Sequence, residues 1–224
     1  MKWIELLPSD SLGWFYLGFS YAKQGRHGQA IESYREALRI NPELAEAWNN
    51  LGTTYAKQGR YGEEIESFRE ALRIDPEDAE AWNNLGVSYY NQGRYGEAVE
   101  SYREALRINP ELAGAWNNLG LSYAKQGRYG EAVESYREAL RINPEYAEAW
   151  YNLGNVYGRQ GRYGEAVESY REVLRINPEF AEAWYNLAGS YKLNRQDKKA
   201  KEAWERLNKL NPSLARKLRR HIFN

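Results

Sequence analysis

Adjacent asparagines stand at 49–50, 83–84 and 117–118, each pair inside the hexapeptide AWNNLG. A carboxamide carries two N–H donors and an acceptor oxygen, so a row of them can pair with both the N–H and the C=O of an extended peptide. Asparagine in a helix interior costs about 0.6 kcal/mol against alanine, because its short amide competes for backbone groups. Their repeated presence in helix-like segments therefore points to a task outside the helix itself.

Residues capable of bond-making chemistry are few. The only histidines are His27 and His221, and neither has a metal-ligating neighbour at helical spacing. With no cysteine, the chain has no thiolate ligand, thiol nucleophile or disulfide. Glu and Arg of EAVESYREALRIN recur in copy after copy at solvent-face spacing and read as i,i+4 ion pairs rather than acid/base pairs. GRYG at 59–62 fits the G-x-x-G loop of an RNA-binding domain, but it occurs in four copies and reads as a turn. No catalytic residue, metal or cofactor is expected, and the chain is not expected to be an enzyme.

The elements that position the amides follow from a period. Asn41-Pro42, Asp75-Pro76, Asn109-Pro110, Asn143-Pro144, Asn177-Pro178 and Asn211-Pro212 lie 34 residues apart, and Trp14, Trp48, Trp82, Trp116, Trp150 and Trp184 keep the same spacing. Each tryptophan opens W-x-x-L-[GA]-x-x-Y, and the second half of every copy but the second carries Ala-x-x-x-aromatic, as in Ala98 to Tyr102. Trp82, Leu85, Gly86 and Tyr89 share one face of a first helix, and Ala98, Tyr102 and Ala105 mark a facing stripe on a second. Gly93 ends the first helix and Pro110 the second.

This pattern resembles the tetratricopeptide repeat over about the whole chain. The resemblance implies an all-α, right-handed superhelical solenoid of antiparallel helix pairs. Six repeats run 11–44, 45–78, 79–112, 113–146, 147–180 and 181–214; residues 1–10, with Pro8 in register, read as the tail of a preceding truncated or improvised repeat, and 215–224 as a basic capping helix fragment.

Numbering positions from each repeat start, a helical wheel with 4, 7, 8 and 11 inward leaves 2, 6, 9 and 13 pointing away. The family resemblance implies that this face lines a concave groove. Position 6 is Asn50, Asn84, Asn118, Asn152 and Asn186, with Tyr16 in the first repeat. Position 13 supplies a basic rail of Lys23, Lys57, Lys125 and Arg159, and position 9 varies, with Val87 and Leu121 among its occupants. The ladder is similar to the asparagine ladder of the O-GlcNAc transferase family, where such residues hold peptide substrates. Two roles stay open for it, peptide capture and bonding between adjacent repeats. The same two are open for the flanking Asn49, Asn83 and Asn117, replaced later by Tyr151 and Tyr185. The cations by which some tetratricopeptide domains clamp acidic chaperone tails are missing at positions 2 and 5, so that mode is not expected.

The expected function is a non-catalytic protein-interaction scaffold that takes an extended peptide or partner helix in the groove. One alternative is self-assembly through Leu12, Phe15, Tyr16 and Phe19, which make the first helix apolar nearly all round and could equally meet an upstream repeat or a ligand's apolar anchor. A second alternative rests on the basic end, which reads as a solubilising cap or as a holder of an acidic partner or nucleic acid. Basic and acidic residues number 31 each and cancel, so nucleic acid is not the expected partner of the chain as a whole. No apolar run reaches the roughly 20 residues of a membrane span. MKWIELLPSD lacks a signal peptide's apolar core, which makes the cytoplasm the expected location.

Overall fold

The computed structural model describes residues 10–222, with side chains for 10–220. The segment 1–9, with Pro8, and the side chain of His221 lie outside the described residues. All regular structure among those described is helical. The first helices of the repeats are α1 (Ser11–Lys23), α3 (Ala45–Lys57), α5 (Ala79–Asn91), α7 (Ala113–Lys125), α9 (Ala147–Arg159) and α11 (Ala181–Leu193). Their partners are α2 (His27–Ile40), α4 (Tyr61–Ile74), α6 (Tyr95–Ile108), α8 (Tyr129–Ile142), α10 (Tyr163–Ile176) and α12 (Asp197–Leu210), followed by α13 (Pro212–Ile222). The chain divides into two compact bodies, Met1–Pro110 and Glu111–Asn224.

Each helix pair turns on a residue in the left-handed region. Gly93 has φ +74°, which an L side chain rarely adopts, and Arg195 holds the equivalent place in the last repeat at φ +57°. The Asn-Pro or Asp-Pro step ends each second helix and shapes the turn beyond it. Asn41, Asp75, Asn143 and Asn177 accept, through Oδ1, the backbone N–H two residues on, at 3.1–3.2 Å. The tryptophan then locks that turn: Trp48, Trp82 and Trp150 donate Nε1–H to the carbonyls of Pro42, Pro76 and Pro144 at 2.9 Å. Pro212 also opens α13, where the Asn211 Oδ1 accepts Leu214 N–H at 3.0 Å.

In the first five pairs the two helices approach because position 8 is glycine, and in the sixth it is the fully buried Ala188. At Gly86 a Cβ would meet the Tyr102 ring at 2.6 Å, and Tyr102 is almost wholly buried. In the N-terminal body, α2 packs on α3 and α4 on α5; in the C-terminal body, α8 packs on α9, α10 on α11, and α13 on both α11 and α12. Thus each pair buries on its neighbour the face it cannot cover alone. Arginines at position 29 tie neighbours at the surface. Arg73, Arg107, Arg141 and Arg175 reach Glu43, Glu77, Glu111 and Glu145 of the preceding repeat at 2.7–3.1 Å, and also pair with a glutamate three residues back. The expected i,i+4 pairing is thereby corrected to i,i+3 plus inter-repeat pairing. These pairs are about half exposed, so each contributes little alone.

One repeat breaks the core pattern. Position 20 is alanine and fully buried at Ala30, Ala98, Ala132, Ala166 and Ala200, but in the second repeat it is Glu64, only 3% exposed. Ser88 donates its hydroxyl to Glu64 Oε1, while Oε2 has no partner among the described residues. Burial holds the carboxyl above its ordinary range.

Two stability measurements follow from this packing. Gly86→Ala should lower stability by about 1–3 kcal/mol in chemical denaturation, because the added Cβ must displace a core ring. Gly96→Ala, where nothing lies within 4 Å, should be neutral or stabilising. Glu64→Ala should raise stability by about 1–3 kcal/mol at pH 7, since it removes a buried, half-satisfied charge. A carboxyl whose folded pKa is raised loses stability as pH rises from its unfolded to its folded value. The advantage of Glu64→Ala should accordingly fade as pH falls toward the ordinary glutamate range, and a constant difference from pH 7 to pH 4 would contradict this account.

Candidate functional site

The first helix of each repeat carries the amides, and their partners differ from repeat to repeat. Asn84 donates Nδ2–H to Asn49 Oδ1 at 3.4 Å, and Asn152 donates to Asn117 Oδ1 at 3.1 Å. Asn186 donates to Tyr151 Oη at 3.1 Å. Position 6 of one repeat thus bonds to position 5 of the repeat before it. Asn50 is the exception: position 5 of the first repeat is Phe15, which offers no acceptor, and Asn50 turns back to its own helix at Glu46 O, 3.0 Å away. Asn118 is half-buried on α7.

Position 5 therefore faces the interior more than the wheel allowed. Asn117 is 1% exposed and accepts from Asn152, so it is a buried strut and not a group flanking an open groove. For the same reason Phe15, expected on the self-association face, is 3% exposed and packs against Tyr34 at a centroid distance of 6.0 Å. That assignment is corrected. Leu12, Tyr16 and Phe19 are exposed, Tyr16 at 62%, and Lys23 Nζ sits 5.1 Å from the Phe19 ring centroid. Lys57, Lys125 and Arg159 are exposed on their helices, and Val87 and Leu121 are half-buried.

The structure brings predicted groups together around one cleft of the C-terminal body, of about 540 Å³. It is lined by Asn155, Arg159, Tyr163, Tyr185, Asn186 and Leu193 among others. Two glycines open it, Gly189 inside α11 and Gly158 in the last turn of α9: each has nothing within 4 Å of a would-be Cβ. A helix-interior glycine costs roughly 1 kcal/mol, so Gly189, where the earlier repeats carry Phe19, Thr53, Val87, Leu121 and Asn155, was a legible signal of this space. Leu193 at position 13 and Tyr185 at the flanking position 5 fall where the wheel put the groove face and its edge, whereas sequence reasoning missed Tyr163 as a lining group, because its approach depends on how α9, α10 and α11 pack.

Within the cleft the amides are wired to tyrosines. Asn155 Oδ1 accepts from Asn186 Nδ2 at 3.0 Å and from Tyr170 Oη at 2.8 Å. With Tyr151 also accepting from Asn186, both Asn186 N–H groups are engaged, leaving its carbonyl oxygen and at least one Asn155 N–H with unused capacity. Burial raises the Tyr151 and Tyr170 phenols above their ordinary value, so both stay protonated at neutral pH. Among the described residues no cluster of His, Cys, Asp or Glu could hold a metal ion. No described helix is long and apolar enough to cross a membrane.

The ladder's bonding pattern separates its rungs. Asn152→Ala leaves the buried Asn117 oxygen without its donor and should cost about 1–3 kcal/mol. Asn50→Ala removes only a bond within one helix and should change stability by less than about 0.5 kcal/mol. Equal losses in urea denaturation would refute the inter-repeat role.

The chain matches the family described as Cilia and flagella-associated protein 70 C-terminal domain, of tetratricopeptide type, over residues 8–147. It matches the tetratricopeptide repeat over 117–178 and 151–215. No curated protein sequence matches it. Among solved structures, PilF of Pseudomonas aeruginosa is similar at 24% identity and TM-score 0.80, with 94% of this chain and 97% of that chain covered. MamA is 28% identical with TM-score 0.70, covering 74% of this chain and 97% of that one. YrrB, described as a TPR protein with an unusual peptide-binding site, is 23% identical with TM-score 0.73, covering 85% of this chain and 99% of that one. Helix pairs closed on glycine, the tryptophan-locked turn and these matches together place the chain in the tetratricopeptide repeat family.

Proposed function

We propose that this scaffold captures an extended peptide in the cleft between α9, α10 and α11. Tetratricopeptide repeat proteins are protein-interaction scaffolds and generally non-catalytic, and YrrB, a neighbour in fold, is described as carrying a peptide-binding site. The observation that carries the reading is the space vacated by Gly158 and Gly189 directly beside Asn155 and Asn186. The Asn186 carbonyl accepts a peptide N–H and the Asn155 amide donates to a peptide C=O, so one residue of backbone is gripped whatever its side chain. Arg159 on the cleft wall favours an acidic side chain, while Leu193 and Tyr163 offer apolar contact.

The ladder as a whole has two roles in this reading. Asn84 and Asn152 keep adjacent repeats in register, whereas Asn186, held by two acceptors, presents its oxygen to a ligand. Leu121 and Lys125 extend the binding face within the C-terminal body, and Lys23, Lys57 and Val87 offer side chains of the same kinds on the N-terminal body.

Selection from a displayed random-peptide library on the intact chain and on Gly189→Leu tests the proposal. Leucine should fill the cleft and, by replacing a helix-interior glycine, leave the melting temperature equal or higher. The intact chain should enrich a motif that Gly189→Leu loses. Enrichment of the same motif by both proteins would move the binding site elsewhere.

A further inference from the structure

A second cleft recurs on the chain and differs in character in the last repeat. In the N-terminal body it lies between α2, α3 and α4, with a volume of about 370 Å³, and again between α4, α5 and α6, with about 790 Å³. Its floor is the position 4 tryptophan, position 7 leucine and position 11 tyrosine. Its walls carry charges that cancel: Arg35 and Arg39 against Glu63 and Glu66, then Arg69, Arg73 and Arg103 against Glu97, Glu100 and Glu104.

The same cleft between α10, α11 and α12 measures about 580 Å³ and keeps the floor, with Trp184, Leu187 and Tyr191. Its walls now carry Arg171, Arg175, Lys199 and Arg206 against Glu202 alone. Two substitutions make the difference. Position 19 is Glu63, Glu97, Glu131 and Glu165 in repeats two to five and Lys199 here. Position 26 is glutamate in all five earlier repeats and Arg206 here.

These two cations are also the ones left over. Arg175 is held by Glu145 and Glu172 at 2.7 Å each, and Arg171 by Glu168 at 3.4 Å. Among the described residues no carboxylate forms an ion pair with Lys199 or Arg206. Lys199 Nζ instead stands 5.7 Å from the Tyr191 ring centroid. Eleven of the 31 basic residues but three of the 31 acidic ones lie at or after Lys192, so cations outnumber the carboxylates around them.

We infer that the cleft between α10, α11 and α12 is a second binding site, distinct from the amide cleft, for an acidic segment of a partner protein. Lys199 and Arg206 are seven residues apart on α12, two turns on the same side, or about 10.5 Å of helix rise. An extended segment in polyproline II geometry places side chains three residues apart on one side, about 9 Å from each other. Glutamates at that spacing reach both cations while the chain between them lies on Trp184, Ala203 and Leu187. A single small anion spans only one of the two, which is why the spacing favours a peptide with paired carboxylates.

The test is fluorescence anisotropy of a short labelled peptide with glutamate at every third position, titrated with the full chain at low and at physiological salt. The comparison protein is the double variant K199E/R206E, which restores the residue type of the earlier repeats. Its new position 26 glutamate stands three residues before Lys209, as Glu172 stands before Arg175, so the fold should hold. K199Q/R206Q serves if melting shows otherwise. Expected is saturable binding that weakens with salt and falls at least about tenfold in the variant. Loss of binding in N155A/N186A but not in K199E/R206E would put the acidic peptide in the amide cleft and overturn the inference. No binding at low salt, or equal binding by K199E/R206E, overturns the inference. So does binding of an oligonucleotide but not of the peptide, or self-association that the charge variant abolishes while the peptide never binds.

Discussion

The close approach of an aromatic ring to a glycine is the contact on which the rest of this structure depends. At Gly18, Gly52, Gly86, Gly120 and Gly154 a Cβ would come within 2.6–2.9 Å of the ring at position 24. That contact sets how near the two helices of a pair lie, and hence which residues are left at the pair's outer faces. A pair so closed still exposes an apolar face, which only the next pair can cover. The tryptophan bonded to a proline carbonyl then fixes where the next pair begins. Repetition of one local solution therefore generates each body, and departures from the repeat are confined to places where packing tolerates them.

Departures are informative for that reason. Phe15 in place of an amide removes the acceptor that Asn50 would otherwise find, and the Asn50 amide falls back on its own helix. Gly158 and Gly189 remove side chains and leave a cleft beside two amides. Lys199 and Arg206 invert charge in a cleft that is neutral elsewhere. Glu64 puts a carboxylate where the other repeats bury alanine, a local loss of stability that the Ser88 hydroxyl only partly offsets. Each is a single-residue change on an unchanged backbone, so the scaffold and its surface chemistry vary independently.

The asparagines show how one residue type serves two ends. Bonded to a buried neighbour, as Asn152 is to Asn117, the amide holds register between repeats and has little left for a ligand. Bonded to the half-buried Tyr151 and Asn155 at a cleft, as Asn186 is, it is oriented and still presents its carbonyl. The same helix penalty thus supports packing in one repeat and a proposed grip on peptide backbone in another.

Sequence by itself determined the period, the helix pairs, the turn glycines and the inward stripe, because each depends on residues within one repeat and on the 3.6-residue helical period. It also showed the position 6 ladder and the basic end as patterns. Which way position 5 faces, what each amide touches, and that Gly158, Gly189, Tyr163 and Leu193 share a cleft were decided only by tertiary structure. Those relations join residues about 30 to 35 apart across helix–helix contacts, and a helical wheel describes one helix without its neighbours. Phe15 illustrates the limit: by composition it belonged with exposed Tyr16, but helix packing turned it onto Tyr34.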